Sequence, residues 1–190
     1  MPQHRHFILN KPFGVLSLFI FNQKGKKKLL GELFNFPEKT MAIGRLDEKS
    51  EGLLFLTTDG VMSEFIRSKK VEKEYYAQID GLITEEAITK IENGVEIGVE
   101  GEKYITKPCR AFMLTVSPDF PLRTKKIRDA RHGPTSWVSI TLTEGKFRQV
   151  RKMTAAVGFP TLRLVRVRIG NIRLSELEPG EVVEVNDFHL

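Results

Sequence analysis

The sequence predicts an α+β fold, a mixed and largely antiparallel sheet with flanking helices. Three observations lead there. Strand-like segments outnumber helical ones and do not alternate with them as a doubly wound sheet requires. Lys73–Asp80 and Trp137–Thr143 alternate at period two, the pattern of a strand with one buried face. The 190 residues are 41% hydrophobic and 28% charged, an ordinary globular composition. A chain of this length buries about 70% of its unfolded surface without disulfide or metal staples.

Taken in order, His6–Asn10 reads as a short apolar strand stopped by Lys11-Pro12 and Gly14. Gly25–Lys28 is a turn ahead of a predicted helix over Leu29–Phe36. Met41–Ile43 and Leu53–Thr58 read as buried strands on either side of a polar loop, Gly44–Gly52. Asp59 is the predicted N-cap of a helix through Ile66, because its carboxylate accepts an orphan backbone N–H. After the strand Lys73–Asp80, Thr84 opens a helix that Asn93-Gly94 ends. Cys109–Val116 predicts a further strand. Residues 117–135, broken by Pro118, Pro121 and Pro134, predict a long loop of the kind that carries function or orders on binding. Trp137–Thr143 follows with Val138, Ile140 and Leu142 on one face. Gly145 turns into a predicted helix, Lys146–Val157, ended by Gly158 and Pro160. Its apolar stripe is Phe147, Val150, Met153/Thr154 and Val157, with Arg148, Arg151, Lys152 and Ala155 opposite. The strand Thr161–Ile169 and a β-rich tail to about Val185 complete the chain.

Composition narrows the class. The single cysteine, Cys109, cannot form an internal disulfide, which fits a reducing cytoplasm. No CxxC or HExxH spacing exists, so no metal site is expected. No apolar run approaches the ~18 residues of a membrane span, and the opening residues lack a signal-peptide cleavage pattern. The net charge is +6, unevenly distributed. Residues 123–168 carry twelve basic and two acidic side chains, a local +10, against −4 for the remainder. Such a tract focuses positive potential and attracts polyanions.

Residues 44–60, GRLDEKSEGLLFLTTDG, place a polar loop with a glycine at each end between two apolar strands. A loop so held can present one carboxylate rigidly. This segment resembles the signature of the RsuA-type pseudouridine synthases. The resemblance continues through NKPFGVL, the Lys73-Glu74-Tyr75 step and EGKFRQVRKMTAAVGFPTLRLVRVRIG, and so covers about Phe7 to Val185. PTSW and the basic loop before it resemble the branch acting on large-subunit (23S) ribosomal RNA. Thr58 stands where relatives usually have Asn, Lys146 where they have Arg, and Phe147 where they have a more polar residue. Many relatives begin with a separate RNA-binding domain of the S4 type. The resemblance here starts directly at the catalytic domain. It implies one catalytic domain over 1–190, two lobes around one cleft, working as a monomer without that extra domain.

The implied activity is isomerisation of uridine to pseudouridine in structured ribosomal RNA, with the target nucleotide flipped out and no cofactor. Asp47 matches the family's essential aspartate, whose anion stabilises charge at C1′ and acts as nucleophile or base. Arg151 matches the arginine that pairs with it. Tyr75 matches the active-site tyrosine, a ring for stacking on uracil with a hydroxyl near a moving proton. Tyr76, on the other strand face, is expected in the core, as is Trp137. Arg45 is expected to occupy the space of the extracted nucleotide or to bind its phosphate. Lys11 and Lys73 are expected near a phosphate or the site, with a plain surface lysine the competing reading of Lys11. Arg123, Lys125, Lys126, Arg128, Arg131, Arg148, Lys152, Arg163, Arg166 and Arg168 are candidate RNA-backbone contacts. The alternative reading is a non-catalytic RNA-binding or ribosome-assembly protein on the same fold. A hydrolase of small phosphorylated substrates is disfavoured, since no phosphate-cradling glycine loop exists.

Overall fold

The computed structural model describes residues 4–68, 71–127 and 129–190. In chain order the elements begin with β1 (His6–Lys11), β2 (Val15–Leu16), β3 (Lys28–Leu29), β4 (Met41–Ile43), β5 (Glu51–Thr57) and α1 (Gly60–Arg67). Next come β6 (Lys73–Asp80), α2 (Glu85–Asn93), β7 (Glu96–Val99), β8 (Glu102–Ile105) and β9 (Arg110–Leu114). The chain closes with β10 (Thr135–Leu142), α3 (Gln149–Ala156), β11 (Thr161–Ile169), β12 (Ile172–Arg173) and β13 (Val182–Val185). Two compact units result, one running through Val71 and resuming at Arg166–Leu190, the other Glu72–Val165. The division falls inside β11. The α+β class stands: ladders in both units are antiparallel apart from the two-residue β2–β3 pair. Among the described residues no helix is long and apolar enough to cross a membrane.

In the first unit β1 lies between β13 and β5, and β4 pairs with the far end of β5. All seven residues of β5 are buried, which explains why it reads as a continuous apolar run. Phe7, Leu9, Val15, Leu30, Leu54 and Leu56 form its core. Near the C-terminus Phe188 is 1% exposed and stacks on Phe55 with ring centroids 4.4 Å apart. Asp59 caps α1 as expected, accepting from the N–H groups of Val61 and Met62.

The helix expected over Leu29–Phe36 is instead a single 3-10 turn, Leu30–Glu32. Gly31 inside the segment and Pro37 beyond it leave too few good helix formers to meet the nucleation cost. Tertiary burial uses its apolar residues one by one. Leu30 is fully buried, and the rings of Phe34 and Phe36 lie 5.8 and 5.3 Å from Phe7.

In the second unit β10 lies between β6 and β9. Its core joins Ala77, Ile79, Val138, Ile140 and Leu142 from the sheet to Ala87 and Ile91 of α2 and Val150 and Met153 of α3. Thr84 caps α2 through the Ala87 N–H, and Gly94 follows at φ 98. Trp137 is buried as expected. Tyr76 is not the core member of its pair. Tyr75 shares a strand face with Ala77 and Ile79 and packs on the core, while Tyr76 is half-buried near Phe120. The β7–β8 hairpin was not foreseen. Glu100 and Gly101 turn at φ 52 and 87, two successive left-handed residues as in a type I′ turn. With Glu rather than Asn or Asp in the first place, the turn signal is weak.

The helix expected from Lys146 begins at Gln149. Arg148 sits in the left-handed region at φ 52, which breaks the helical phase. Phe147 is therefore not on the buried stripe; it is 66% exposed. Val150, Met153 and Thr154 do form that stripe.

Candidate active site

Asp47 lies on the loop between β4 and β5, in the first unit. Lys11 at the end of β1 is opposite Gly52 at the start of β5, so the loop springs from the last pair of that ladder. Gly44 and Gly52 take φ values of 60 and 99, which a residue with a Cβ adopts only at a cost. At Gly44 the cost is conformational only, since a Cβ there would meet a guanidinium nitrogen of Arg166 at an ordinary contact distance of 3.8 Å. Within the loop Ser50 N–H donates to Asp47 C=O at 3.0 Å. Residues 14–17, from the β1–β2 turn to just past β2, bind it from outside. Gly14 N–H donates to Glu48 C=O at 2.8 Å, and Ser17 Oγ bonds both main-chain groups of Leu46. Asp47 is half-buried and Arg45 is exposed. Glu48 pairs with Lys27 at 2.9 Å.

Lys11 departs from the sequence reading. It is neither a surface lysine nor placed to meet a phosphate: it is 0% exposed. Its ammonium turns inward and donates to the carbonyls of Val15 at 2.7 Å and Pro12 at 3.0 Å. Burial pushes its pKa down to about 7, against the upward pull of Glu51, Asp47 and Glu48, with Arg166 adding to the depression. Arg166, expected as an RNA contact, is 2% exposed and donates from Nε to Leu53 C=O at 2.7 Å. It serves the strand that follows the Asp47 loop.

Tyr75, Lys73 and Arg151 lie in the second unit. Tyr75 faces Ile140 across the β6–β10 ladder. Lys73 is 8% exposed, and its neighbour Glu74 accepts from Ser139 Oγ at 3.0 Å. Arg151, on α3, is half-buried and reaches Thr161 C=O at 3.4 Å. What holds α3 in place is Glu144, to which the sequence gives no role beyond being one of two acids in the basic tract. Glu144 is 7% exposed and accepts from Tyr104 Oη, from Lys107 N–H at 2.9 Å and from Gln149 Nε2 at 2.6 Å. Gln149 Oε1 in turn accepts Lys146 N–H at 2.9 Å. This network ties the end of β10, the β7–β8 hairpin and the start of α3 together, and it explains the left-handed turn at Arg148.

Burial alone would raise the Glu144 carboxyl, but bonds from Tyr104, Lys107 and Gln149 prevail and hold it below its ordinary 4.5. Its stabilising contribution is therefore present above pH 4.5 and lost as the pH falls through its folded value. Glu144→Gln flattens that acid limb in urea unfolding followed at a series of pH values; an unchanged acid limb would contradict the assignment.

The basic candidates divide by environment. Lys125 and Lys126 are exposed, as is Arg148. Arg123 is half-buried with Nε on Lys125 C=O at 2.7 Å. Arg131 pairs with Asp129 at 2.6 Å. Lys152 donates to Gly98 C=O at 2.6 Å and lies 5.2 Å above the Phe147 ring. Arg163 is buried, donating to Pro121 C=O at 2.9 Å above the ring of Phe120, so it anchors the proline-rich loop rather than offering itself to RNA. Arg168 is half-buried, with Nη1 on Gly170 C=O at 2.7 Å. Arg128 lies outside the described residues. Among the described residues no cluster of three His, Cys, Asp or Glu side chains could hold a metal ion. The Cys109 thiol is pushed up to about 11 by burial, with Glu92 and Glu144 adding to it, so it is no ready nucleophile.

The RNA pseudouridylate synthase family matches residues 5–156. The chain is 42% identical over 174 residues to ribosomal large subunit pseudouridine synthase E of Xanthomonas axonopodis pv. citri, covering 90% of this chain and 89% of that one. It is 39% identical over 181 residues to the protein of the same name from Vibrio parahaemolyticus, covering 94% and 72%. A crystal structure of a pseudouridylate synthase superposes with a TM-score of 0.74 at 29% identity, covering 97% of this chain and 71% of that one. A family match across most of the chain, backed by near full-length relatives, establishes that the chain belongs to the RNA pseudouridylate synthase family.

Proposed function

We propose that this protein isomerises uridine to pseudouridine in large-subunit ribosomal RNA. The observation that carries the reading is the family match over residues 5–156, which spans the loop bearing Asp47 and ends at the close of α3. The relatives named above are large-subunit ribosomal enzymes. In the reaction the bond from C1′ to N1 breaks, the uracil turns, and C1′ bonds to C5. The C5 proton leaves and N1 gains one, so atoms and oxidation state balance without an external reductant.

Asp47 supplies the anion that answers positive charge developing at C1′. Arg151 serves as the basic residue of the reaction, and Tyr75 stacks on the uracil. Arg45, exposed on the same loop as Asp47, takes the space vacated by the flipped nucleotide or binds its phosphate. Lys125, Lys126, Arg148 and Lys152 contact the RNA backbone, with Arg123, Arg128 and Arg131 from the proline-rich loop. Lys73 supports the Tyr75 strand. The enzyme acts as a monomer in the cytoplasm.

Mapping pseudouridines in ribosomal RNA from cells with and without the gene tests the function. At least one large-subunit site is expected to vanish and to return on complementation; an unchanged map would overturn the reading. Salt dependence tests the surface. With about six phosphate contacts, the logarithm of affinity falls with the logarithm of salt at a slope of about −4 for single strands. A flat response by filter binding would count against the basic tract as the RNA surface.

A further inference from the structure

We propose that Ser17 is the positioning residue for Asp47. The inference rests on the reading of Asp47 as the reacting carboxylate. Ser17 is 4% exposed and its hydroxyl makes two bonds to one residue. It donates to Leu46 C=O at 2.8 Å and accepts from Leu46 N–H at 3.1 Å. That carbonyl belongs to the peptide unit that joins Leu46 to Asp47. One hydroxyl thus fixes the peptide planes on both sides of Leu46, and with them the direction in which the next side chain leaves the backbone.

The platform beneath Ser17 is itself held. Val15 and Leu16 pair with Lys28 and Leu29, and Leu30 N–H donates to Leu18 C=O at 3.1 Å. The Lys11 ammonium binds Val15 C=O from the buried side. On the far side of Asp47, Gly14 N–H holds Glu48 C=O. Residues 46 and 48 are therefore both tied to the segment 14–17, with Asp47 between them. The local sequence, Val15-Leu16-Ser17-Leu18-Phe19, is apolar except at this position. A packing role alone would be met by alanine; the hydroxyl is used on the Asp47 loop. A misplacement of about 1 Å in a reacting group can cost about a hundredfold in rate.

The test uses Ser17→Ala, Ser17→Cys and Ser17→Thr, with Asp47→Asn as a control. Single-turnover tritium release from [5-³H]uridine-labelled large-subunit RNA reports chemistry, filter binding reports RNA affinity, and circular dichroism reports the fold. Ala and Cys are expected to lower the single-turnover rate about ten- to a hundredfold with affinity within about twofold. Thr, which keeps the hydroxyl, restores the rate. Wild-type rates in Ala and Cys, with Asp47→Asn inactive, would overturn the role of Ser17 while leaving that of Asp47. Activity in Asp47→Asn would instead overturn the reading of Asp47. If Ala does not fold, Cys decides. Parallel loss of rate and affinity, absence of folded protein in both, or failure of a folded Thr variant to recover would make Ser17 merely structural and overturn the proposal.

Discussion

Asp47→Asn removes pseudouridine formation, lowering the rate by about a thousandfold or more, while RNA affinity stays within about tenfold, or ~1.4 kcal/mol. The amide is nearly isosteric, so the loop survives the change: its bonds from Gly14, Ser17 and Ser50 all go to main-chain groups. What disappears is the charge. Residue 47 alone is assigned to answer positive charge developing at C1′; Glu48 pairs with Lys27, and Glu51 is buried at the start of β5. Most of the proposed phosphate contacts lie outside this loop, so RNA affinity is expected to persist. Single-turnover assays beside filter binding separate the two effects. A variant that still modifies RNA at the wild-type rate would overturn the role of Asp47.

Stability rises with pH from about 7 upward through Lys11. Its folded pKa of about 7 lies below the ordinary 10.5, so between those values the unfolded chain holds more protons than the fold. Raising the pH across that window releases the cost of burying a charged ammonium, and stability increases. One proton sets the ceiling at about 1.4 kcal/mol per pH unit. The bonds to Val15 and Pro12 survive, because a neutral amine still donates. Lys11→Met removes the slope between pH 7 and 9, where few other groups titrate. Urea unfolding at four or five pH values in both proteins checks this; equal slopes would show that Lys11 is not the group responsible.

Much of the local architecture was legible because its causes are local. Asp59 and Thr84 cap their helices through bonds to residues two or three positions on, a range that spacing reveals. Gly44 and Gly52 bracket the Asp47 loop with the positive φ that glycine permits. The readings that failed depended on distant partners. Lys11 looks exposed in NKP, but its burial depends on the neighbours that β1 acquires in the sheet. Phe147 fits a helical stripe until Arg148 turns left-handed, a turn set between Lys146 and Gln149, which bonds the Glu144 carboxylate that Tyr104 of the hairpin also holds. Arg163 and Arg166 look like free cations in a basic tract, yet their guanidinium groups bind carbonyls at residues 121 and 53. Ser17 carried no signal beyond being the one polar residue in an apolar run, and its partner is 29 positions away.

The most direct measurement of the central claim is proton release at C5. Wild-type protein mixed with large-subunit ribosomal RNA carrying [5-³H]uridine should liberate tritium to water in step with the appearance of pseudouridine, reaching one equivalent per target site. Asp47→Asn under the same conditions should liberate none. Tritium retained by the wild-type reaction, with RNA demonstrably bound, would contradict the account.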